Sequence, residues 1–327
     1  MAKTAFVTGA TGFLGQNLVE RLVASGWSVI AFHRARAALG ILERLPVTLA
    51  AGKLLETRAL VAAMPKGVDA VFHVAGDTSM WRGHRVRQMR VNVEGTRNVL
   101  AAAFGAGARR FVHVSTVGVY DHDHGVIDES TPQTGGKSSV GYVKTKYLAE
   151  LLVRTAVERG LEAVIVNPSH IVGRYDRHNW ARLILMAANG SLPGVPPGSG
   201  SFAHGAAVAD ALIAAAERGR RGENYVLGGA DASFLDLVRE AGRLAGRRVP
   251  RRASPAALLR LAGYAGALKG WLTGREPQVT PEGVGFALAH IRVNSAKAER
   301  ELGYRPVPLA VMVEDCFAWL SAEGLIR

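Results

Sequence analysis

Cysteine is nearly absent from this sequence: Cys316 is the only one, so no disulfide can form within a chain. A reducing compartment is the natural home of such a protein, and the cytoplasm is expected. Long apolar runs are also missing, since no stretch approaches the roughly 20 uncharged residues of a membrane span. The N-terminal Met1-Ala-Lys-Thr leads straight into an apolar run without the hydrophobic region of a signal peptide. Acidic residues are in short supply, 27 against 40 Lys and Arg, which leaves a formal net charge of +13. That excess raises non-specific affinity for phosphates. Its clusters, however, at Arg85/Arg87/Arg90, Arg218/Arg220/Arg221 and Arg247/Arg248/Arg251/Arg252, are dispersed and carry no interleaved aromatics. No nucleic-acid-binding motif accompanies them, so a specific nucleic-acid partner is not expected.

What is present is a chain of 327 residues with 48% hydrophobic composition, enough for a large buried core. Up to about residue 175, short apolar runs alternate with helical patterns, as a doubly wound α/β sheet requires. Strands are expected at 4–8, 28–33, 47–51, 70–74, 110–115 and 161–167, and helices near 13–25, 57–63, 86–105 and 141–159. Beyond residue 175 the loops lengthen, notably in the Pro/Gly-rich stretch 192–200. The chain therefore reads as a dinucleotide-binding region over 1–175 and a mainly substrate-binding lobe over 176–327, with sheet and helices partly shared.

The organising stretch is Thr8-Gly-Ala-Thr-Gly-Phe-Leu-Gly15, between the first strand and the first helix. A strand feeding a glycine turn and a helix N-terminus gathers free N–H groups and the positive end of a helix dipole, which suits a pyrophosphate. Gly9 makes the tight turn, Gly12 admits phosphate to the backbone and Gly15 lets helix and strand pack closely. Thr11, Phe13 and Leu14 complete the expected contacts. At the end of the second strand, where an NAD-preferring site places a carboxylate for the ribose, there is none between Glu20 and Glu43. Ala31-Phe-His-Arg-Ala-Arg36 stands there instead, so His33, Arg34 and Arg36 are expected around a 2′-phosphate, which favours NADPH/NADP+ over NADH.

Only one of the seven tyrosines, Tyr142, has a lysine four residues later, Lys146. That spacing is about one helical turn, so both side chains share a face. Upstream, Phe111-Val-His-Val-Ser-Thr-Val-Gly-Val-Tyr120 is a buried-strand pattern ending in hydroxyls, where an open α/β sheet presents catalytic groups.

The Gly-x-x-Gly-x-x-Gly turn, this hydroxyl run and the Tyr-x-x-x-Lys pair, in this order, resemble the extended short-chain dehydrogenase/reductases. Within that group the segments Thr280-Pro-Glu and Asn294-Ser-Ala-Lys-Ala-Glu-Arg-Glu-Leu-Gly-Tyr304 resemble bacterial dihydroflavonol-reductase-like and epimerase/dehydratase-like members. The resemblance covers nearly the whole chain. It implies a Rossmann-type sheet with Thr116, Tyr142 and Lys146 as catalytic residues and Ser115 as the alternative hydroxyl. It implies cofactor contacts from Ala75 and Gly76 in Phe72-His-Val-Ala-Gly-Asp77, from Lys53 and Leu54 after the third strand, and from Asn167, Pro168 and His170 after the sixth. Lys53 stands where the family has an Asp, and cannot accept a hydrogen bond. Asn92 is counted with the cofactor contacts, although its role reads as tying the central helix to the fourth strand. The resemblance also makes a homodimer an expectation.

For the chemistry, a free phenol titrates near 10, and Lys146 one turn away is expected to make Tyr142 more acidic. Thr78, Trp81, Tyr175 and Trp180 are the substrate-lining candidates. This aromatic, weakly polar set favours reduction of an aldehyde or ketone. Arg174, Arg177 and Arg182 could clamp a nucleotide diphosphate, which keeps a sugar-nucleotide epimerase or dehydratase as the alternative; a non-catalytic NADP-binding sensor is the third. The adjacent His and Asp residues at 121–124 give no metal site without partners from elsewhere. The apolar helix expected at 256–272, interrupted by Arg260 and Lys269, reads as a core or lid helix, with a membrane-surface helix as the alternative.

Overall fold

The computed structural model describes residues 2–326. Twelve strands and twelve helices follow one another as β1 Thr4–Thr8, α1 Phe13–Ala24, β2 Ser28–His33, β3 Thr48–Ala51, α2 Thr57–Ala63, β4 Ala70–His73, α3 Arg85–Gln88, α4 Gly95–Ala106, β5 Phe111–Val114, β6 Val126–Ile127, α5 Gly141–Glu158, β7 Ala163–Pro168, β8 His170–Val172, α6 Ala181–Ala188, β9 Ser199–His204, α7 Gly205–Arg218, β10 Asn224–Leu227, β11 Ala230–Ser233, α8 Phe234–Leu244, α9 Ala256–Thr273, α10 Pro281–Leu288, β12 His290–Val293, α11 Ala296–Leu302 and α12 Leu309–Ala322.

Seven strands form one parallel sheet in the order β10-β7-β5-β4-β1-β2-β3. The order reverses between β1 and β4, and at such a switch point the carboxyl ends of the strands open a crevice. Strands covered on both faces must be apolar throughout, and β1, β4 and β5 are fully buried from Ala5 to Val7, Ala70 to His73 and Phe111 to Val114. α1 and α7 cover one face, packing Leu14, Leu18, Val208 and Leu212 against Val7, Val112 and Val164. α2, α4 and α5 cover the other, where Leu60, Val99 and Val153 meet Phe6, Val71 and Phe111. The strands and helices expected before residue 175 stand within two residues of those observed, and the doubly wound α/β fold is the one found.

The second half contributes to both layers. α7 and β10 complete the main sheet, while β11, β9, β12 and β6 form a smaller sheet that β8 joins through β9. A third apolar cluster gathers α6, α8 and α12 around Phe202, Phe234 and Cys316. Of the two placements expected for α9, core or lid, the core one is not met. Gly263 and Gly270 are its only buried residues, and its leucines point outward.

Candidate active site

The glycine turn is built as its spacing requires. Gly9 sits at φ +72, and a Cβ there would lie 2.6 Å from the Ala75 nitrogen. A Cβ on Gly15 would come within 2.0 Å of the Gly9 carbonyl oxygen, so helix and turn touch backbone to backbone. Gly12 caps α1 without any side-chain hydrogen bond, and the first turn of α1 holds no acidic residue. The amides of Phe13, Leu14 and Gly15 precede the first intrahelical bond, from Gln16 N to Gly12 O, and are free to donate to an anion. Thr11 borders them, and Ala75 and Gly76 face them across the crevice, with the Ala75 amide reaching Thr8 Oγ1 at 3.4 Å. This cradle fits a dinucleotide pyrophosphate. At the end of β2, Arg34 and Arg36 are exposed and take part in no ion pair among the described residues, beside His33, whose Nδ1 lies 3.1 Å from Arg34 O.

The candidate catalytic side chains come from the segment after β5 and from α5. Thr116 follows β5 in extended conformation and its Oγ1 accepts from Gly118 N at 3.1 Å, which closes a tight turn and fixes the hydroxyl. Tyr142, in the first turn of α5, lies close enough to Thr116 for that side chain to pull its pKa down. Ser115 is buried with its hydroxyl unpartnered. Lys146 lies one turn on, is buried, and donates from Nζ to Val114 O at 2.5 Å. Burial holds its ammonium down at about 8, against a smaller upward pull from Glu150.

One expectation is not met. Burial raises the Tyr142 phenol above its ordinary value, with Thr116 working against that. Lys146, whose ammonium donates to the strand carbonyl, does not bring it down in this geometry.

Buried polar bridges hold these groups in place. Asn92 accepts from Asp77 N at 2.7 Å and donates to Asp77 O at 3.0 Å and to Thr145 Oγ1 at 2.9 Å, tying the loop after β4 to α5. Its own helix widens to i→i+5 bonding over Met89–Glu94, between α3 and α4, to present it. His73 spans β1 and α4, with Nδ1 2.8 Å from Thr8 Oγ1 and Nε2 2.9 Å from Thr96 Oγ1. Thr96 gives its proton to Asn92 O, so Nε2 must donate and Nδ1 accept. Burial keeps this imidazole neutral, its pKa down at about 3.

Sequence reasoning missed Glu150. Fully buried on α5, it accepts from Asn167 Nδ2 at 2.7 Å, Gln133 Nε2 at 2.9 Å and Asn224 Nδ2 at 3.2 Å. Its position one turn after Lys146, on the same face, was the available signal.

Other candidates lie elsewhere. Asn167 is absorbed in the Glu150 network and donates to Thr116 O at 3.2 Å, so it braces the catalytic strand from behind. Pro168 pairs with Leu227 at the end of β7. His170 is buried among Trp180, Phe202 and Phe234, its ring 4.9 Å from that of Trp180. Trp180 itself stacks on Phe234 at 4.5 Å. Tyr175, at φ +72, turns away to pack on Trp319 of α12. Lys53 pairs with Glu56 at 2.8 Å on the surface, and Leu54 O accepts from Asn98. Arg174 is held by Asp315 at 2.8 Å and Arg177 by Glu323, so neither is a free clamp. Thr78 is exposed, and Trp81 meets His84 edge to face at 4.7 Å.

A groove of about 750 Å³ adjoins the catalytic turn and was not foreseen. Gly118, Tyr120, His122, Val143, Pro281 and Phe286 are among its lining residues. Gly118 and Val143 are the close neighbours of Thr116 and Tyr142.

A parallel sheet with this strand order, a glycine-lined cradle at its switch point and a Thr-Tyr-Lys set at its carboxyl edge define a short-chain dehydrogenase/reductase of the extended kind. The chain belongs to the NAD dependent epimerase/dehydratase family, whose model matches residues 5–228. It is 32% identical over 328 residues to sterol demethylase protein B of Methylococcus capsulatus, covering 99% of this chain and 100% of that one. It is 30% identical over 335 residues to a putative dihydroflavonol 4-reductase of Synechocystis, covering 100% and 97%. Among solved structures, that of gox2253 superposes with a TM-score of 0.85 at 32% identity, covering 99% and 100% of the two chains.

Proposed function

We propose that the protein reduces an aldehyde or ketone to an alcohol with NADPH. The observation that carries this reading is the Thr116–Tyr142 hydroxyl pair, held at the carboxyl edge of the sheet one helical turn before Lys146. Bound NADPH supplies the hydride. Thr116, fixed by Gly118 N, donates a hydrogen bond to the carbonyl oxygen. Tyr142 delivers the proton to that oxygen as charge develops on it. Lys146 leaves Val114 O when the ribose hydroxyls offer better acceptors, and from there its charge favours the phenolate left on Tyr142. Ala75 and Gly76 keep the crevice narrow, and Asn92 holds α5 to its wall.

Arg34 and Arg36 support NADPH over NADH, since both follow the second strand, are exposed and are in no ion pair among the described residues, which leaves them free to meet a 2′-phosphate. The tying of Arg174 and Arg177 to carboxylates removes two of the three expected diphosphate clamps, which favours a carbonyl compound over a sugar nucleotide. The names of the two curated relatives point the same way, to a sterol and a dihydroflavonol. The protein acts in the cytoplasm, as a homodimer through the helices that flank the sheet.

Binding of NADPH and NADH to the purified protein, followed by consumption assays across aromatic, polycyclic and aliphatic carbonyls, tests the reading. NADPH oxidation with an apolar carbonyl is the expected result, and Arg34→Ala with Arg36→Ala should cut the NADPH preference by about tenfold to a hundredfold. Tight cofactor retention without consumption would replace this reading with an epimerase or a sensor.

A further inference from the structure

α9 carries the largest set of exposed apolar side chains in the molecule. Leu258, Leu261, Tyr264, Leu268, Trp271 and Leu272 are all more than half exposed, from 58% at Leu268 to 79% at Trp271. At about 100° per residue these positions fall on one face of the helix. The opposite face is fixed by glycines: a Cβ on Gly266 would lie 2.0 Å from Val279 O, and on Gly270 3.2 Å from Pro277 Cδ. The helix therefore cannot roll to bury its leucines without driving side chains into the 277–284 backbone. Arg260 and Lys269 stand on the two flanks of the apolar stripe.

Charge along the segment is of one sign, with Glu276 just beyond it and Glu282 on α10 the next carboxylates in sequence. From Arg247 to Arg275 there are seven cations and no carboxylate, and none of the seven is in an ion pair among the described residues. A second copy docked face to face would set these cations against their equivalents. A flat anionic surface that also accepts leucine and tryptophan satisfies both features at once. No helix among the described residues is long and apolar enough to cross a membrane, so α9 lies along such a surface.

We propose that α9 docks the protein on an anionic phospholipid bilayer, with the Leu261–Leu268–Trp271 edge among the acyl chains and the flanking arginines at the headgroups. α9 rests on α10, whose Phe286 lines the groove, and on the indole of Trp81. Docking thus places the groove at the lipid surface.

The test is flotation of the full chain with phosphatidylcholine vesicles, with and without phosphatidylglycerol, which reads binding whether or not any carbonyl is reduced. The protein should float with phosphatidylglycerol present and stay below without it. Leu261→Ser, Leu268→Ser and Trp271→Ser together should abolish flotation while NADPH binding is unchanged. Arg251→Gln with Arg252→Gln, which leaves every apolar contact in place, should weaken it by about tenfold. Failure of the unaltered protein to float with anionic vesicles, or unimpaired flotation of the triple variant, would overturn the proposal. So would a dimer that the triple variant converts to monomer while neither form floats, since the face would then belong to a second copy.

Discussion

The crevice at the sheet edge and the outer face of α9 invert each other. Around the candidate catalytic residues, most polar side chains lie inside and are satisfied, the Ser115 hydroxyl being an exception: His73, Asn92, Glu150 and Asn167 are buried and each makes at least two hydrogen bonds. On α9, apolar side chains lie outside against nothing. Each arrangement is unfavourable on its own, since unpaired buried dipoles and hydrated leucines both raise free energy. The difference lies in where the compensation is found. In the crevice it is already within the chain, and on α9 it must come from something that binds.

The sharpest way to break the comparison is at the hydroxyl pair. Tyr142→Phe should lower kcat by about a thousandfold, the ordinary scale of a lost general acid, while leaving cofactor affinity intact by titration. Next comes the brace behind it. Glu150→Leu leaves amides of Asn167, Gln133 and Asn224 short of an acceptor and should destabilise the fold by about 3 kcal/mol in denaturant melts. A smaller effect concerns charge. Lys146 is protonated below about 8 in the free protein, and its ammonium is the form that can donate to ribose hydroxyls. NADPH affinity should therefore fall as pH rises through about 8, and Lys146→Met should flatten that step in a calorimetric series. The smallest effect belongs to the other region. Leu268→Ser should change stability by less than about 0.5 kcal/mol, because that side chain is solvated already. A large loss there would mean that the leucine face is packed within the fold after all.

The same contrast explains what could be read from residues alone. The β1 turn and the first turn of α5 are local: their glycines, tyrosine and lysine fix their own geometry, and they stand where expected. β6, β8, β9, β10, β11 and β12 escaped notice because they are two to six residues long and are defined by partners far along the chain. Ser199–His204, with its serines and glycine, has almost no strand propensity of its own. Tyr175 and His170 follow a recognisable motif, yet a left-handed backbone at Tyr175 and an aromatic nest around His170 carry them from the crevice. Glu150 could be seen as a charge on a helix, but its three amide partners come from separate segments. α9 showed the reverse problem. Its composition was plain, while the glycine seat that turns its leucines outward depends on the backbone of 277–284.

Asp315 has a consequence for how the molecule is made. It accepts from Arg174 N and Nε, both at 2.8 Å, and lies 3.0 Å from His204 Nε2. Burial pushes its carboxyl up, but His204 and Arg174 outweigh that and hold it at about 2. Arg174 O in turn accepts from Asn17 Nδ2 in α1, at 3.1 Å. The helix that opens the cradle is thus latched by a residue some 300 positions later. During synthesis on the ribosome the glycine turn emerges among the earliest segments, yet its latch closes only once α12 has left the exit tunnel. Until then the contact that Arg174 makes to α1 lacks its carboxylate anchor.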